Sequence, residues 1–184
     1  SGINAIGINF DDWGNSDSAF LYHYKNLRIG LDKTSTAAAS STLNNIGNTY
    51  LKMSELDSAQ KYFQKSLSLA RKSQRKTTLA TIFNNLGDIA LRKQKFGKAK
   101  LLLDSALYYS ESDNYAPLEK RRDVYNTLYR YYEQTGDMAN AFLYQRKYIT
   151  YRDSMHNLEQ IEELKDLEMQ ATTAQKDKEI AQAE

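Results

Sequence analysis

An asparagine returns at fixed intervals along this chain: Asn4, Asn44 and Asn84 lie forty residues apart, and Asn126 follows forty-two residues later. A side-chain amide offers donors and an acceptor together, so a row of them can bond a peptide backbone without demanding a particular side chain. The same amides can instead keep an exposed face soluble or bond between neighbouring helices, and the sequence leaves both roles open. Polar and charged groups follow one and two helical turns later: Asn48 and Lys52 after Asn44, Asp88 and Arg92 after Asn84, and Arg130 after Asn126. These eight residues are the candidate binding set, and their chemistry is noncovalent recognition. Catalysis has little to build on, because two distant histidines, no cysteine, no phosphate-cradling glycine loop and no metal-ligand spacing leave only scattered carboxylates. No catalytic residue, bound metal or cofactor is expected, and the chain does not read as an enzyme.

The elements that position the asparagines are themselves repeated. A shift of forty residues lays Asn44-Asn45-Ile46-Gly47 on Asn84-Asn85-Leu86-Gly87, and the reverse shift brings Ile3, Asn4, Ile6, Gly7 and Phe10 under Leu43, Asn44, Ile46, Gly47 and Tyr50. In copy two, Leu43, Ile46, Gly47 and Tyr50 occupy one helical face, as do Ala59, Phe63 and Leu67 on a second helix. Small residues at Gly47 and Ala59 let the two backbones approach, and the apolar edge left over requires a neighbouring copy. The repeats are expected at about 1–39, 40–79, 80–121 and 122–155, followed by a separate tail at 156–184.

Each copy resembles the tetratricopeptide repeat (TPR), through Leu43, Ile46, Gly47, Tyr50, Ala59 and Phe63 in copy two and Phe83, Leu86, Gly87, Ala99, Leu103 and Ala106 in copy three. The resemblance implies an all-α fold, a right-handed α-α superhelix of four TPR-like helix pairs plus a C-terminal helix. The period exceeds the usual 34 residues, the repeat-ending proline is absent, and Tyr129 stands where copy four should carry glycine. Longer repeats resemble those of kinesin light chain and of peptide-sensing bacterial regulators, whereas Tyr129 implies a last pair that is wedged apart or repacked. In such superhelices the first helices line a concave groove, which makes the eight candidates a peptide-binding groove. Helices about 10 Å apart would present one amide to roughly every third residue of a strand rising about 3.3 Å per residue. Paired asparagines resemble the kinesin light-chain groove; the two-carboxylate clamp of chaperone-binding arrays is not matched, since its lysine is missing at the asparagine position.

Along the chain, helices are expected over 3–13 and 17–31, and the next begins inside the Thr34 to Thr42 stretch. A basic connector is expected from Arg71 to Thr78, copy three from about Thr78 to Ser110, a polar loop from Glu111 to Pro117, and a last helix from about Met138 to Asp153. Hydrophobic residues make up 41% and charged residues 26%, a composition of neither a disordered nor a membrane-spanning chain, and no apolar run approaches the roughly 20 residues that cross a bilayer. The start at Ser1-Gly2 reads as an excised fragment. Nine basic residues between Arg71 and Lys100 face a single acid, Asp88, and suit a solvated face, an acidic partner or the tail of a second chain. Aromatics are too sparse among them for nucleic acid. His23 occupies the place of Phe63 and is expected in packing, and Tyr125, Tyr129, Tyr132, Tyr144 and Tyr148 are expected to fill the last core.

From His156 to Glu184 three lysines oppose eight acids, whereas residues 1–155 carry 22 basic and 15 acidic side chains. Leu158, Ile161 and Leu164 are expected to cap the open edge of copy four. Leu164, Leu167, Ala171, Ala174, Lys178 and Ala181 form a short heptad seam suited to a homodimer through the C-terminal helix. An array followed by a segment like Tyr148-Ile149-Thr150-Tyr151-Arg152-Asp153-Ser154-Met155 and a charged helix resembles the sensor region of bacterial membrane-bound TPR histidine kinases and transcriptional regulators. That resemblance implies a ligand- or peptide-sensing interaction domain of a signal-transduction regulator, periplasmic and reaching the inner membrane only through a segment outside this chain. The alternative is a soluble adaptor or cytoplasmic peptide-responsive regulator. In either case the expected partner is a protein or peptide, with no nucleic acid bound through this chain.

Overall fold

The computed structural model describes residues 2–32, 35–112 and 117–183, with side chains at 2–30, 35–112, 117–170 and 172–173. Ser1, Thr34 and most of the expected loop from Glu111 to Pro117 lie outside that description, as do the side chains at the seam positions Ala171, Ala174, Lys178 and Ala181. The described residues form eight helices and no strand: α1 (Gly2–Asp12), α2 (Ser16–Asp32), α3 (Thr36–Lys52), α4 (Leu56–Ser73), α5 (Lys76–Arg92), α6 (Phe96–Glu111), α7 (Leu118–Thr135) and α8 (Met138–Ala183). Consecutive helices pair, and each pair packs on the next. α3 starts inside the Ser/Thr/Ala stretch, as expected, with the Ser35 hydroxyl accepting from the Ala38 N–H. The expected basic connector shrinks to Gln74 and Arg75, because Arg71 and Lys72 complete α4 and Lys76 opens α5.

Within a pair, a glycine on the first helix receives a bulky side chain from the second. A Cβ added at Gly47 would stand 2.6 Å from the Phe63 ring, one at Gly87 would meet Leu103 at 2.7 Å, and one at Gly7 would meet His23 at 2.7 Å. Phe63, Leu103 and His23 are fully buried. Copy four is repacked around its missing glycine: Tyr129 is half-buried and its hydroxyl donates to Glu133 at 2.7 Å. The core there is built from Leu128, Tyr125 and the stacked rings of Tyr132 and Tyr144, 5.5 Å apart.

The turns repeat as faithfully as the helices. The carbonyls of Phe10, Tyr50, Ala90 and Tyr132 accept from the N–H groups of Asn15, Glu55, Lys95 and Asp137 at 2.8–3.0 Å. Between them Gly14, Ser54, Gln94 and Gly136 adopt left-handed φ values of 75°, 63°, 55° and 82°, the bonding and backbone of a Schellman C-cap.

α8 runs for 46 residues without a break, roughly 70 Å at 1.5 Å per residue. Its first part packs on α7 through Ala141 and Tyr144. The expected cap over copy four is not formed, because Leu158, Ile161 and Leu164 are 50%, 48% and 60% exposed. Glu159, Glu162, Glu163, Asp166 and Glu168 are interleaved with them, and laying this segment on an apolar edge would strip water from the carboxylates.

Candidate peptide groove

α1, α3, α5 and α7 are each the first helix of a pair, and polar side chains tie them edge to edge. The Asn45 amide donates to the Asn4 oxygen at 2.9 Å, joining α3 to α1. The Asn85 amide donates to Asn44 and Asn48 at 3.2 and 3.0 Å, joining α5 to α3. Copy four has Thr127 at the equivalent of Asn85, and there the link is ionic: Asp88 accepts from Arg130 at 2.8 Å across the seam and from Arg92 on its own helix at 2.8 Å. That carboxylate is 10% exposed and holds two guanidinium groups.

Asn44 and Asn84 are nearly buried, at 7% and 8% exposure. Asn44 serves as an acceptor between helices, and the Asn84 side-chain oxygen is buried without a protein partner. Asn48, Asn126 and Arg130 are half-buried, and Lys52 and Arg92 are exposed. The second residue of each Asn-Asn pair, Asn45 or Asn85, makes the bridge. The doublet was visible in the sequence, but its division of labour depends on which flank of the helix meets the preceding copy.

A cavity of about 410 Å³ opens where α1, α3 and α5 converge. It brings together three of the eight candidates, Asn48, Lys52 and Arg92, with Asp11 and Asp12 opposite them and Ile8 and Leu51 supplying apolar wall. The Lys52 ammonium donates to Asp12 at 3.0 Å across the mouth, with both groups more than half exposed. Such a pair is worth about 0–1 kcal/mol, so a ligand can exchange for either partner at small cost. A second cavity of about 180 Å³ includes Asn44, Asn45, Thr77, Thr81 and Lys120; Asn84 and Asn126 line neither. The acidic wall from α1 was not among the sequence candidates, because copies two and three carry leucine at the place of Asp11.

Among the described residues no group of three or more His, Cys, Asp and Glu side chains is placed to hold a metal ion. No described helix is long and apolar enough to cross a membrane.

The tetratricopeptide repeat family model matches residues 38–111. No curated protein matches the chain. Among solved structures, BtubC (BKLC) from P. vanneervenii is similar with a TM-score of 0.67 at 17% identity, over 84% of this chain and 63% of that one. Aspartyl phosphate phosphatase F from Bacillus subtilis is similar with a TM-score of 0.72 at 14% identity, over 84% and 40%. Pseudomonas aeruginosa pilF gives 0.54 at 17%, over 84% and 65%. The chain thus spans 63% and 40% of the length of the first two. These likenesses are of fold, and the fold is an all-helical, TPR-like superhelix.

Proposed function

We propose that the chain is a non-enzymatic interaction domain that holds an extended protein segment in the groove of α1, α3, α5 and α7, seated at the cavity between α1 and α5. The observation that carries this reading is the cavity's wall: Asp12 of α1, Asn48, Leu51 and Lys52 of α3 and Arg92 of α5 line it together. Such a wall offers a peptide backbone an amide and offers its side chains either charge. Asn44, Asn84 and Asn126 then serve the groove by fixing its helices or extending its polar floor. We further propose, from the order of array and charged helix, that the domain is the sensing part of a bacterial signal-transduction regulator, exposed to the periplasm. Its structural likeness to a phosphatase named for aspartyl phosphate is compatible with a signalling role.

A displayed library of unstructured peptides, selected on the chain and then measured by calorimetry, tests the groove. Asn48→Ala and Arg92→Ala should each weaken the selected peptides about fivefold or more, the equivalent of one hydrogen bond of about 1 kcal/mol, while circular dichroism stays that of the folded parent even though each variant also loses a contact within the array, to Asn85 or to Asp88. Peptides that bind both variants as tightly as the parent would remove this site from the reading.

A further inference from the structure

We propose a second interaction surface, used between copies of this chain: the acidic, leucine-bearing segment of α8 of one copy docks into the lysine-rimmed seam between α4 and α6 of another. The seam holds a cavity of about 160 Å³, floored by Leu67, Leu86 and Leu102 and rimmed by Lys93, Lys95 and Lys98. Lys93 is committed, donating to Asp57 at 2.6 Å and to Gln60 at 2.9 Å. Lys95 and Lys98 are exposed, and neither makes a side-chain hydrogen bond or ion pair among the described residues. The seam therefore pairs an apolar floor with an excess of positive charge, three lysines against the one carboxylate of Asp57, and an occupant that is apolar and acidic together suits it.

The exposed part of α8 is such an element. Ile161, Leu164 and Leu167 follow one another at three-residue spacing, with the latter two 60% and 55% exposed. Glu163 lies four residues before Leu167 and Glu168 four residues after Leu164, so carboxylates flank the apolar row on the helix surface. A cavity of about 150 Å³ accommodates a group the size of benzene, which leaves room for a leucine side chain. Residues 156–170 are exposed beyond the array, so seam and segment of one chain do not meet. Two copies can exchange segments reciprocally and close the assembly as a pair. This differs from a seam between two α8 helices, which would leave the lysines of the array unused.

Sedimentation of the full chain across concentration and salt tests the proposal through charge reversal. The parent should self-associate, less so as salt rises. Lys95→Glu with Lys98→Glu, and separately Glu163→Lys with Glu168→Lys, should each weaken association on the order of tenfold or more by setting like charges face to face. An equimolar mixture of the two double variants should associate again, since each segment then finds a seam of opposite sign. Unchanged circular dichroism checks that these surface variants fold. A parent that stays monomeric, or association lost in the α8 variant and kept in the lysine variant, would overturn the proposal, the latter in favour of pairing between the α8 helices.

Discussion

Asp11 and His23 stand where copies two and three carry Leu51 with Phe63 and Leu91 with Leu103. The first copy has thus exchanged an apolar contact for a buried polar one: His23 Nε2 and Asp11 Oδ2 are 3.0 Å apart, and the Thr49 hydroxyl donates to the same oxygen at 2.9 Å. The other atoms of the pair, Asp11 Oδ1 and His23 Nδ1, are buried without a protein partner. Leaving a buried polar group unmatched costs about 1–3 kcal/mol, whereas replacing both partners with apolar groups of similar shape is close to neutral. Asp11→Leu alone should therefore lower unfolding stability by about 1–3 kcal/mol in urea. Asp11→Leu with His23→Phe, which recreates the pair of copy two, should recover most of it. A double variant as weak as the single one would show that copy one is not packed like its neighbours. The histidine's burial was legible from register alone. Its partnership with Asp11 was not, because α1 and the Thr49 of α3 converge on the carboxylate only once the first two copies have stacked.

At the scale of the helix pair, two features repeat while their residues vary. The left-handed turn position is glycine at Gly14 and Gly136, yet serine at Ser54 and glutamine at Gln94. A residue with a Cβ is strained there, by about 1–2 kcal/mol before the greater flexibility of unfolded glycine is subtracted. Ser54→Gly and Gln94→Gly should each raise stability by about 0.5–1 kcal/mol, read as a higher urea midpoint with an unchanged slope; a fall in midpoint would mean that the turn draws on those side chains. The second feature is the glycine that admits the partner's side chain. Gly47→Ala improves helix propensity but sets a methyl 2.6 Å from the Phe63 ring, and overpacking of this kind costs about 1–3 kcal/mol. Thermal melting should show destabilisation, and a stabilised variant would place Phe63 elsewhere. The glycine and its spacing were legible because they recur in three copies, but its partner was not: the sequence paired Gly47 with Ala59, whereas the structure sets Gly47 against the Phe63 ring. The turn was less legible, since backbone bonding fixes it and serine, glutamine and glycine all satisfy that bonding at different cost.

Across the whole molecule, the copies are held by different chemistries in sequence: amide bridges between copies one, two and three, the Asp88 carboxylate shared by Arg92 and Arg130 between copies three and four, and a tyrosine-rich core within the last pair. The repeat period located the groove-side asparagines, but not which would face outward. Asn45 and Asn48 stand one turn apart on α3, and the flanking copies divide them: Asn45 donates back to Asn4 of copy one, whereas Asn48 accepts from Asn85 of copy three and also lines the cavity. Of the five tyrosines expected to fill the last core, Tyr125, Tyr132 and Tyr144 do so, whereas the Tyr129 hydroxyl turns outward to Glu133 and Tyr148 lies against Arg152; the burial of the first three carries a consequence for stability. Tyr125 is 4% exposed and its hydroxyl donates to Glu111 at 3.0 Å. Burial, then the charge of Glu111 and that hydrogen bond, push its ionisation well above the ordinary tyrosine range, and burial raises Tyr144 likewise. Below the ordinary tyrosine value of about 10 both folded and unfolded chains keep these protons, so the hydroxyls add no pH dependence. Above it the unfolded chain releases protons that the folded chain retains, and stability falls as pH rises. Alkaline unfolding should therefore loosen the pair of α7 and α8, with tyrosinate absorbance rising together with the loss of helical circular dichroism. Tyr125→Phe removes one of the coupled protons while keeping the ring against Tyr144 and Tyr151, so its unfolding midpoint should move to higher pH. An unmoved midpoint would assign the alkaline transition to the exposed tyrosines rather than to this core.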